Sequence, residues 1–218
     1  MFLNLRKLKM EIGYWDNMKI KKYNSFINED INLSNIEGIC QNFLLGNYEY
    51  TINKDGLVDV YGDVDLGEWS NKLEKLPIRF GRVTGHFICS RNSLKSLDGA
   101  PNFVGGDFNC SYNELNDLVG GPEHVDGLYK ATYNEIVNFN GFPKYCGLFY
   151  VSSNPVYELY KLFKDFSNCN TSLSMIPLFL DYDILQDGVV ILDRLNDFLE
   201  EIGKLVKPIT SVDGYKCI

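Results

Sequence analysis

The side chains best suited to chemistry in this chain are two histidines and six cysteines. An imidazole can act as a general base or a metal ligand, and a thiolate can act as a nucleophile. His86 lies beside a predicted strand and His124 lies in a predicted turn, so they do not share a sequence context. No H-E-x-x-H, G-x-S-x-G, phosphate-loop or C-x-x-C pattern occurs. We therefore predict that the protein is not an enzyme and holds no metal or other cofactor.

Two of the cysteines occupy equivalent contexts. Cys89 and Cys110 each follow an F-x-C pattern and are 21 residues apart, which predicts that they are neighbours in the core. Two such thiols either bind a metal together or pack as small hydrophobic side chains, and packing is favoured. The spacing of all six cysteines indicates no disulfide framework, as is typical of a reducing cytoplasm.

These contexts belong to a repeat of 21 residues. Residues of the same type recur at this spacing in three series, which are Gly85, Gly106 and Gly127, then Asn92, Asn113 and Asn134, then Pro101, Pro122 and Pro143. A fourth copy starts at Gly147, and a degenerate copy precedes the others through Leu66, Asn71, Leu73 and Leu76. Five units in a fixed register indicate a stacked repeat architecture.

Each unit has the pattern of a short strand followed by a return path. Apolar side chains alternate at Phe87 and Cys89 and in the matching copies, so these side chains should point inward. Leu94 and Leu97 form a second apolar pair, and the glycine-proline stretches predict turns. One unit cannot bury its apolar edge alone. We therefore predict an α/β solenoid in which the strands form a parallel sheet.

The repeated asparagines have two interpretations. They can form a buried ladder in which each amide satisfies backbone groups of adjacent coils, or they can form a polar catalytic row. The structural ladder, through Asn71, Asn92, Asn113, Asn134 and Asn154, is the favoured interpretation.

The consensus F-x-C-x-x-N-x-L-x-x-L-x-G-x-P resembles the leucine-rich repeat over residues 62–156. The short period is similar to the class found in bacterial effectors, and VGGDFNCSYN and SLDGAP resemble repeat proteins of tailed bacteriophages. The resemblance implies protein binding through the outer, concave face of the sheet. Some of those effectors carry a ubiquitin-ligase domain with a nucleophilic cysteine. Cys169, in SNCNTS, lacks the acidic neighbour of such sites, so we expect no ligase activity.

Four regions follow from these patterns: an N-terminal helical or extended segment at 1–47, a capping β-hairpin at 48–61, five leucine-rich-like repeats at 62–156 and a C-terminal helical cap at 157–218. The hairpin is predicted from alternation around Asp55-Gly56. One helix is predicted after Pro155. Another is predicted over 189–202, with Asp187 capping its start and Gly203 ending it.

The segment MKIKKYNSFINED, residues 18–30, resembles the capsid-targeting peptides of internal head proteins in T-even-type phages. Those peptides are cut after a glutamate, which makes Glu29 the candidate processing site. The alternative is a plain N-terminal helix that packs on the cap. Met18 is an alternative start to Met1, and the sequence leaves open which start is used and whether residues 1–29 are retained.

Composition limits the partners. The 218 residues have a net charge of −8, and residues 49–160 hold nine basic and fifteen acidic side chains. Nucleic acid is therefore not expected as a partner, because phosphate binding needs a basic stripe. No apolar run approaches the roughly 20 residues of a membrane span, so no membrane partner is expected either. The expected location is the host cytoplasm, or the virion interior if residues 18–29 target the capsid.

The outward strand positions form columns across the repeats. One column should contain Tyr112 and Tyr133 with Arg91 before them. A second should contain Ile88, Asn109, Lys130 and Tyr150, with Ser90 and Ser111 also outward. Tyrosine and arginine are common at the centres of interfaces. The predicted partner-binding residues are Arg91, Asn109, Tyr112, Lys130, Tyr133 and Tyr150.

The predicted function is a phage-encoded, non-enzymatic module that binds a host or phage protein, and the alternative is a virion-associated internal protein.

Overall fold

The chain forms a parallel-sheet β-solenoid of about four turns, followed by helices and a small second sheet. The computed structural model describes residues 36–38, 40, 49–67, 72–164 and 169–218. The strands of the solenoid are β1 Glu49–Ile52, β2 Val58–Tyr61, β3 Val64–Asp65, β4 Phe80–Val83, β5 Phe87–Ile88, β6 Phe103–Val104, β7 Phe108–Asn109, β8 His124–Lys130 and β9 Tyr145–Tyr150.

Each coil contributes two strand segments, where the sequence predicted one. The first ladder runs β2, β4, β6, β8 and β9, and the second runs β3, β5, β7, β8 and β9. Strands β8 and β9 are long enough to take part in both ladders. The predicted strand at Phe87 belongs to the second ladder. The first ladder was missed because its strands lie close behind the prolines, where the sequence indicated turns.

The inward positions form a column of stacked rings. Phe87, Phe108 and Tyr129 are each fully buried. The ring centroids of Phe87 and Phe108 are 5.7 Å apart, and those of Phe108 and Tyr129 are 4.7 Å apart. Leu94 and Leu97, the predicted apolar pair of the return path, are also fully buried. The period-two prediction for the core is therefore confirmed at these positions.

The buried asparagines link adjacent coils as the structural interpretation predicts. The Asn113 side chain donates to the carbonyl oxygens of Cys89 and Cys110, both at 3.0 Å. Its Oδ1 accepts the main-chain N–H of Leu94 at 3.0 Å. The amides of Asn92, Asn134 and Asn154 make the same kind of bonds. Asn71 lies outside the described residues.

Glycine is required where the coils turn. Gly99, Gly120 and Gly141 are 21 residues apart and have φ angles of +93°, +83° and +72°. A Cβ on Gly141 would lie 2.1 Å from the carbonyl carbon of Leu118 on the preceding coil. The positive φ and the close approach of two backbones therefore both exclude a side chain here. This accounts for the glycine punctuation of the repeat.

The N-terminal hairpin has one unpredicted feature. Strands β1 and β2 pair antiparallel, with Tyr50 opposite Val60. Strand β2 also pairs in parallel with β4, so it is the first strand of the first ladder. The sequence predicted that the hairpin covers the first coil from outside. Its second strand, β2, instead forms part of the solenoid sheet.

The C-terminal region contains helices α1 Tyr157–Phe163, α2 Cys169–Ser174, α3 Ile176–Asp181 and α4 Leu192–Glu201, with strands β10 Leu185–Gln186, β11 Val189–Val190 and β12 Lys216–Cys217. Helix α1 contacts the last coil, where the rings of Phe149 and Tyr160 have centroids 5.7 Å apart. Tyr215 donates its hydroxyl hydrogen to the carbonyl oxygen of Val137 at 2.8 Å.

The helix predicted over 189–202 begins later in the structure than in the prediction. Val189 and Val190 form strand β11, and the helix begins only at Leu192. Asp187 and Gly188 both have positive φ and join β10 to β11, so Asp187 does not cap the helix. Asp-Gly is a preferred two-residue hairpin turn, and this signal was overlooked. Gly203, with a φ of +68°, follows the end of α4 as predicted.

Candidate functional site

The predicted column of Arg91, Tyr112 and Tyr133 is a continuous stack on the surface. The guanidinium carbon of Arg91 lies 5.0 Å from the ring centroid of Tyr112. The Tyr112 and Tyr133 ring centroids are 4.5 Å apart, and their planes differ by 8°. All three side chains are exposed. The sequence therefore placed these three residues correctly relative to one another.

A left-handed backbone produces this stack. The φ angles of Arg91, Tyr112, Tyr133 and Ser153 are 61°, 59°, 55° and 59°. Glycine and asparagine tolerate this conformation, whereas bulky residues rarely adopt it. Each of the four residues lies three positions after the second strand of its coil and immediately before a buried asparagine of the ladder. Because the four backbones match, their side chains leave the surface in the same direction.

The second predicted column is also in register. Asn109 pairs with Lys130 across the sheet, and Lys130 pairs with Tyr150. Tyr150 is exposed, whereas Asn109 and Lys130 are half-buried. Asn109 uses its Oδ1 to accept the main-chain N–H of Ser111 at 3.1 Å. The structure thus brings all six predicted residues to one face of the solenoid.

The serines between the two columns were predicted to be exposed, but they are buried. Ser90 and Ser111 are only 8% and 5% exposed. Thr132 donates to the Ser111 hydroxyl at 3.2 Å, so these small side chains bond to each other along the coil axis. A strict alternation of inward and outward residues does not anticipate this burial. The accessible part of this face is therefore made mainly by its tyrosines and basic residues.

The surface carries a second stack, which the sequence patterns did not predict. The guanidinium carbon of Arg82 lies 3.6 Å from the Phe103 centroid. Phe103 stacks on His124 at 5.1 Å, and His124 stacks on Tyr145 at 4.6 Å. His124 begins strand β8 and does not lie in a turn as predicted. The sequence does contain a signal for this stack. A ring-bearing residue recurs every 21 residues, two positions after each repeat proline, at Phe103, His124 and Tyr145.

The two histidines have structural contacts. The main-chain N–H of His86 donates to Asp63 Oδ1 at 2.7 Å, and its Nδ1 accepts the N–H of Asp107 at 2.8 Å. Asp107 in turn accepts the N–H of Leu128 at 2.9 Å. These bonds join successive coils at one corner of the solenoid. In the second stack, His124 Nε2 lies 2.9 Å from Asp126 Oδ1.

The core thiols are placed as predicted and are poor nucleophiles. Cys89 and Cys110 are fully buried on adjacent coils. Burial raises the pKa of both thiols well above the usual range, so both remain protonated. In the described parts of the chain, no three or more His, Cys, Asp or Glu side chains are grouped so as to hold a metal ion. The arrangement around these thiols is that of an apolar core.

Two further observations concern the rest of the chain. None of the helices in the described ranges combines the length and apolar character that crossing a membrane requires. The candidate processing site Glu29, and the capsid-targeting resemblance around it, lie outside the described residues.

Comparisons with known proteins leave the chain without a relative from which a function could be transferred. No protein-family model matches it, and neither a curated protein nor a solved structure is significantly similar to it. We therefore infer the function from the geometry of the chain itself.

Proposed function

We propose that the chain is a non-enzymatic module that binds a protein through the face carrying Arg91, Tyr112 and Tyr133. The observation that supports this most strongly is the presence of two tyrosines in the left-handed conformation, at positions where glycine or asparagine would suit the backbone better. Residues held in unfavourable backbone conformations are concentrated at functional sites. Both rings are exposed and add nothing to the buried core. Their surface chemistry is therefore the property that explains their presence.

The chemistry of this face suits a protein partner. Arg91 and Tyr133 cover the two faces of Tyr112, which presents its edge and hydroxyl group, whereas Tyr133 presents its outer face as well. Such groups combine apolar contact area with hydrogen-bonding capacity and lose little side-chain entropy on binding. Lys130 and Tyr150, in the neighbouring column, extend the contact area with a cation and a third phenol. Tyrosine and arginine are also the residues found most often at the energetic centres of interfaces.

The finer assignment follows the sequence resemblance. We infer a leucine-rich-repeat-like solenoid of phage origin, closed by the N-terminal hairpin and the C-terminal helices, that acts on a host protein. The net charge of −8 favours a partner surface that is basic or neutral. The alternative of a virion-associated internal protein is supported by the resemblance at residues 18–29 alone.

The test is affinity capture from bacterial host lysate with the full chain. The wild type is compared with a variant that carries Tyr112→Ala, Tyr133→Ala and Tyr150→Ala, and the captured proteins are quantified by mass spectrometry. Tyr61→Ala is the matched control, because Tyr61 is as exposed as Tyr133, at 53%, but lies outside the two columns. We expect at least a tenfold loss of a specific protein in the triple variant and no loss in the control. The same capture by all three chains would exclude this face.

Mass spectrometry of purified virions tests the alternative function, that of a virion-associated internal protein. A virion-associated protein would be present in the particles, with its N-terminus immediately after Glu29. Absence from the particles, or an intact sequence across Glu29, would contradict that role.

A further inference from the structure

The two ends of the tyrosine stack differ. At one end the Arg91 guanidinium carbon, 5.0 Å from the Tyr112 centroid, covers the outer face of Tyr112. At the other end the next coil places Ser153 in the position that follows Tyr133. A serine side chain is too short to reach across a phenol ring. Among the described residues, the next coil therefore supplies no stacking group to the outer face of Tyr133.

The backbone defines the shape of this open position. Tyr133 and Ser153 have φ angles of 55° and 59°, so their side chains leave the main chain in matching directions. Adjacent strands lie about 4.8 Å apart, which is close to the stacking distance of planar groups. The exposed fraction of Tyr133 is 53%, against 45% for Tyr112, which has a neighbour on both faces. A planar group beside Ser153 would extend the stack by one further layer.

The chain itself indicates which planar group fits. Arginine terminates both surface stacks, with Arg91 on Tyr112 and Arg82 on Phe103, the latter at 3.6 Å. A guanidinium is flat, weakly hydrated and attracted to the negative face of an aromatic ring, which makes it better suited than a lysine ammonium. Residues 49–160 hold fifteen acidic against nine basic side chains, and Glu135 is exposed two residues after Tyr133. The overall charge and the nearby Glu135 carboxylate favour an incoming cation at this end of the stack, which is the end remote from Arg91.

We propose that the open face of Tyr133, beside Ser153, receives an arginine side chain of the partner protein. The inference rests on the proposed function and specifies the chemistry of the partner at that same face. The bound guanidinium stacks on Tyr133 as Arg91 stacks on Tyr112, so that the finished stack has an arginine at each end. The partner surface must then present an exposed arginine.

The direct test is an NMR titration of the full chain with ¹³C-labelled tyrosine rings. The probes are N-acetyl-arginine methylamide and N-acetyl-lysine methylamide, each at millimolar concentration. We expect the arginine probe to shift the Tyr133 ring signals at least twice as far as the lysine probe does. Tyr61 is the internal control, because its exposed fraction is also 53% and it has no part in the stack. Equal shifts from both probes, or equal shifts at Tyr61, would overturn the proposal.

A pair of variants at Ser153 tests the position without disturbing the core. Ser153→Arg supplies the guanidinium from the chain itself, at a backbone conformation that Arg91 already adopts. We expect it to abolish the response of Tyr133 to the arginine probe and to move the free Tyr133 signal towards its probe-bound position. Ser153→Ala should retain the response. Thermal unfolding of both variants checks that they are folded. A full response in folded Ser153→Arg would also contradict the proposal.

The capture experiment separates failure of this inference from failure of the proposed function. If capture needs the three tyrosines and falls at least fivefold in Ser153→Arg but not in Ser153→Ala, both statements are supported. If capture needs the tyrosines but survives Ser153→Arg, the face binds a protein and the arginine proposal is wrong. If capture is independent of the tyrosines, the proposed function is wrong. The proposal that a partner protein supplies the arginine is then wrong as well.

Discussion

Tyr112 and Tyr133 are 21 residues apart in the chain, yet their rings are stacked with centroids 4.5 Å apart and planes within 8° of parallel. The stack arises because each tyrosine lies at the same left-handed position of consecutive coils. The repeat period therefore sets the distance between the rings, and the backbone conformation sets their direction. The rings lie on the surface, so the stability of the core does not require them.

The first prediction separates binding from stability at this stack. A double variant with Tyr112→Asn and Tyr133→Asn should unfold within about 1 kcal/mol of the wild type, because asparagine tolerates positive φ and offsets the lost ring contacts. The same variant should lose partner capture. Chemical denaturation measures the first effect and affinity capture the second. Destabilisation by more than about 3 kcal/mol would mean that the rings hold the fold together.

The second prediction concerns the asparagine ladder. Asn113→Ala removes three hydrogen bonds and leaves the N–H of Leu94 buried without its acceptor, whereas the carbonyl oxygens of Cys89 and Cys110 keep the bonds donated by Asn92 and Asn134. We expect a loss of about 1–3 kcal/mol in the free energy of unfolding. Asn116→Ala is the matched control, because Asn116 is exposed on the same coil and should change stability by less than about 0.5 kcal/mol. Similar losses in the two variants would refute the ladder as a stabilising element.

The third prediction uses an irregularity of the core column. Tyr129 occupies a position that is phenylalanine on the coils before and after it, and its buried hydroxyl has no hydrogen-bond partner among the described residues. Tyr129→Phe removes this unsatisfied group and should raise the free energy of unfolding by about 1–2 kcal/mol. Tyr133→Phe, at an exposed ring, should leave it unchanged within about 0.5 kcal/mol. A destabilised Tyr129→Phe variant would show that the hydroxyl has a partner after all.

The fourth prediction concerns pH and the core thiols. Burial raises the pKa of Cys89 and Cys110 in the folded chain, whereas the pKa of an unfolded thiol is about 8.5. Above that pH the unfolded state loses protons that the folded state keeps, so the free energy of unfolding should fall as the pH rises from about 8.5 to 10. Denaturation midpoints across this range measure the effect. A Cys89→Ala, Cys110→Ala variant should show a shallower fall.

The same burial predicts the pattern of thiol labelling. Cys217 is partly exposed and should react with iodoacetamide in the native protein, whereas Cys89 and Cys110 should react only after unfolding. Peptide mapping by mass spectrometry distinguishes the three. Native labelling of Cys89 at a rate close to that of Cys217 would mean that the core opens far more readily than its packing indicates.

The amino-acid sequence by itself determined the repeat and most of its consequences. A period of 21 residues, with alternating Phe and Cys and a fixed Asn, is sufficient to predict parallel strands, an inward ring column and a buried amide ladder. It is also sufficient to place Arg91, Tyr112 and Tyr133 in one column, because equivalent positions of a solenoid must stack. Local patterns repeated in register carry this information without any knowledge of long-range contacts.

The tertiary structure alone decided how these positions are exposed and oriented. Ser90 and Ser111 are buried although their strand positions predict exposure. The first strand of each coil, and the stack through Phe103 and His124, form only when the coils are packed. The left-handed backbone that aligns Tyr133 with Ser153, and so leaves one ring face open, is likewise absent from any sequence pattern. These features depend on the side-chain volumes of adjacent coils and on the φ angles of individual residues. The identity of a residue restricts its φ angle to a few allowed regions but does not select one of them.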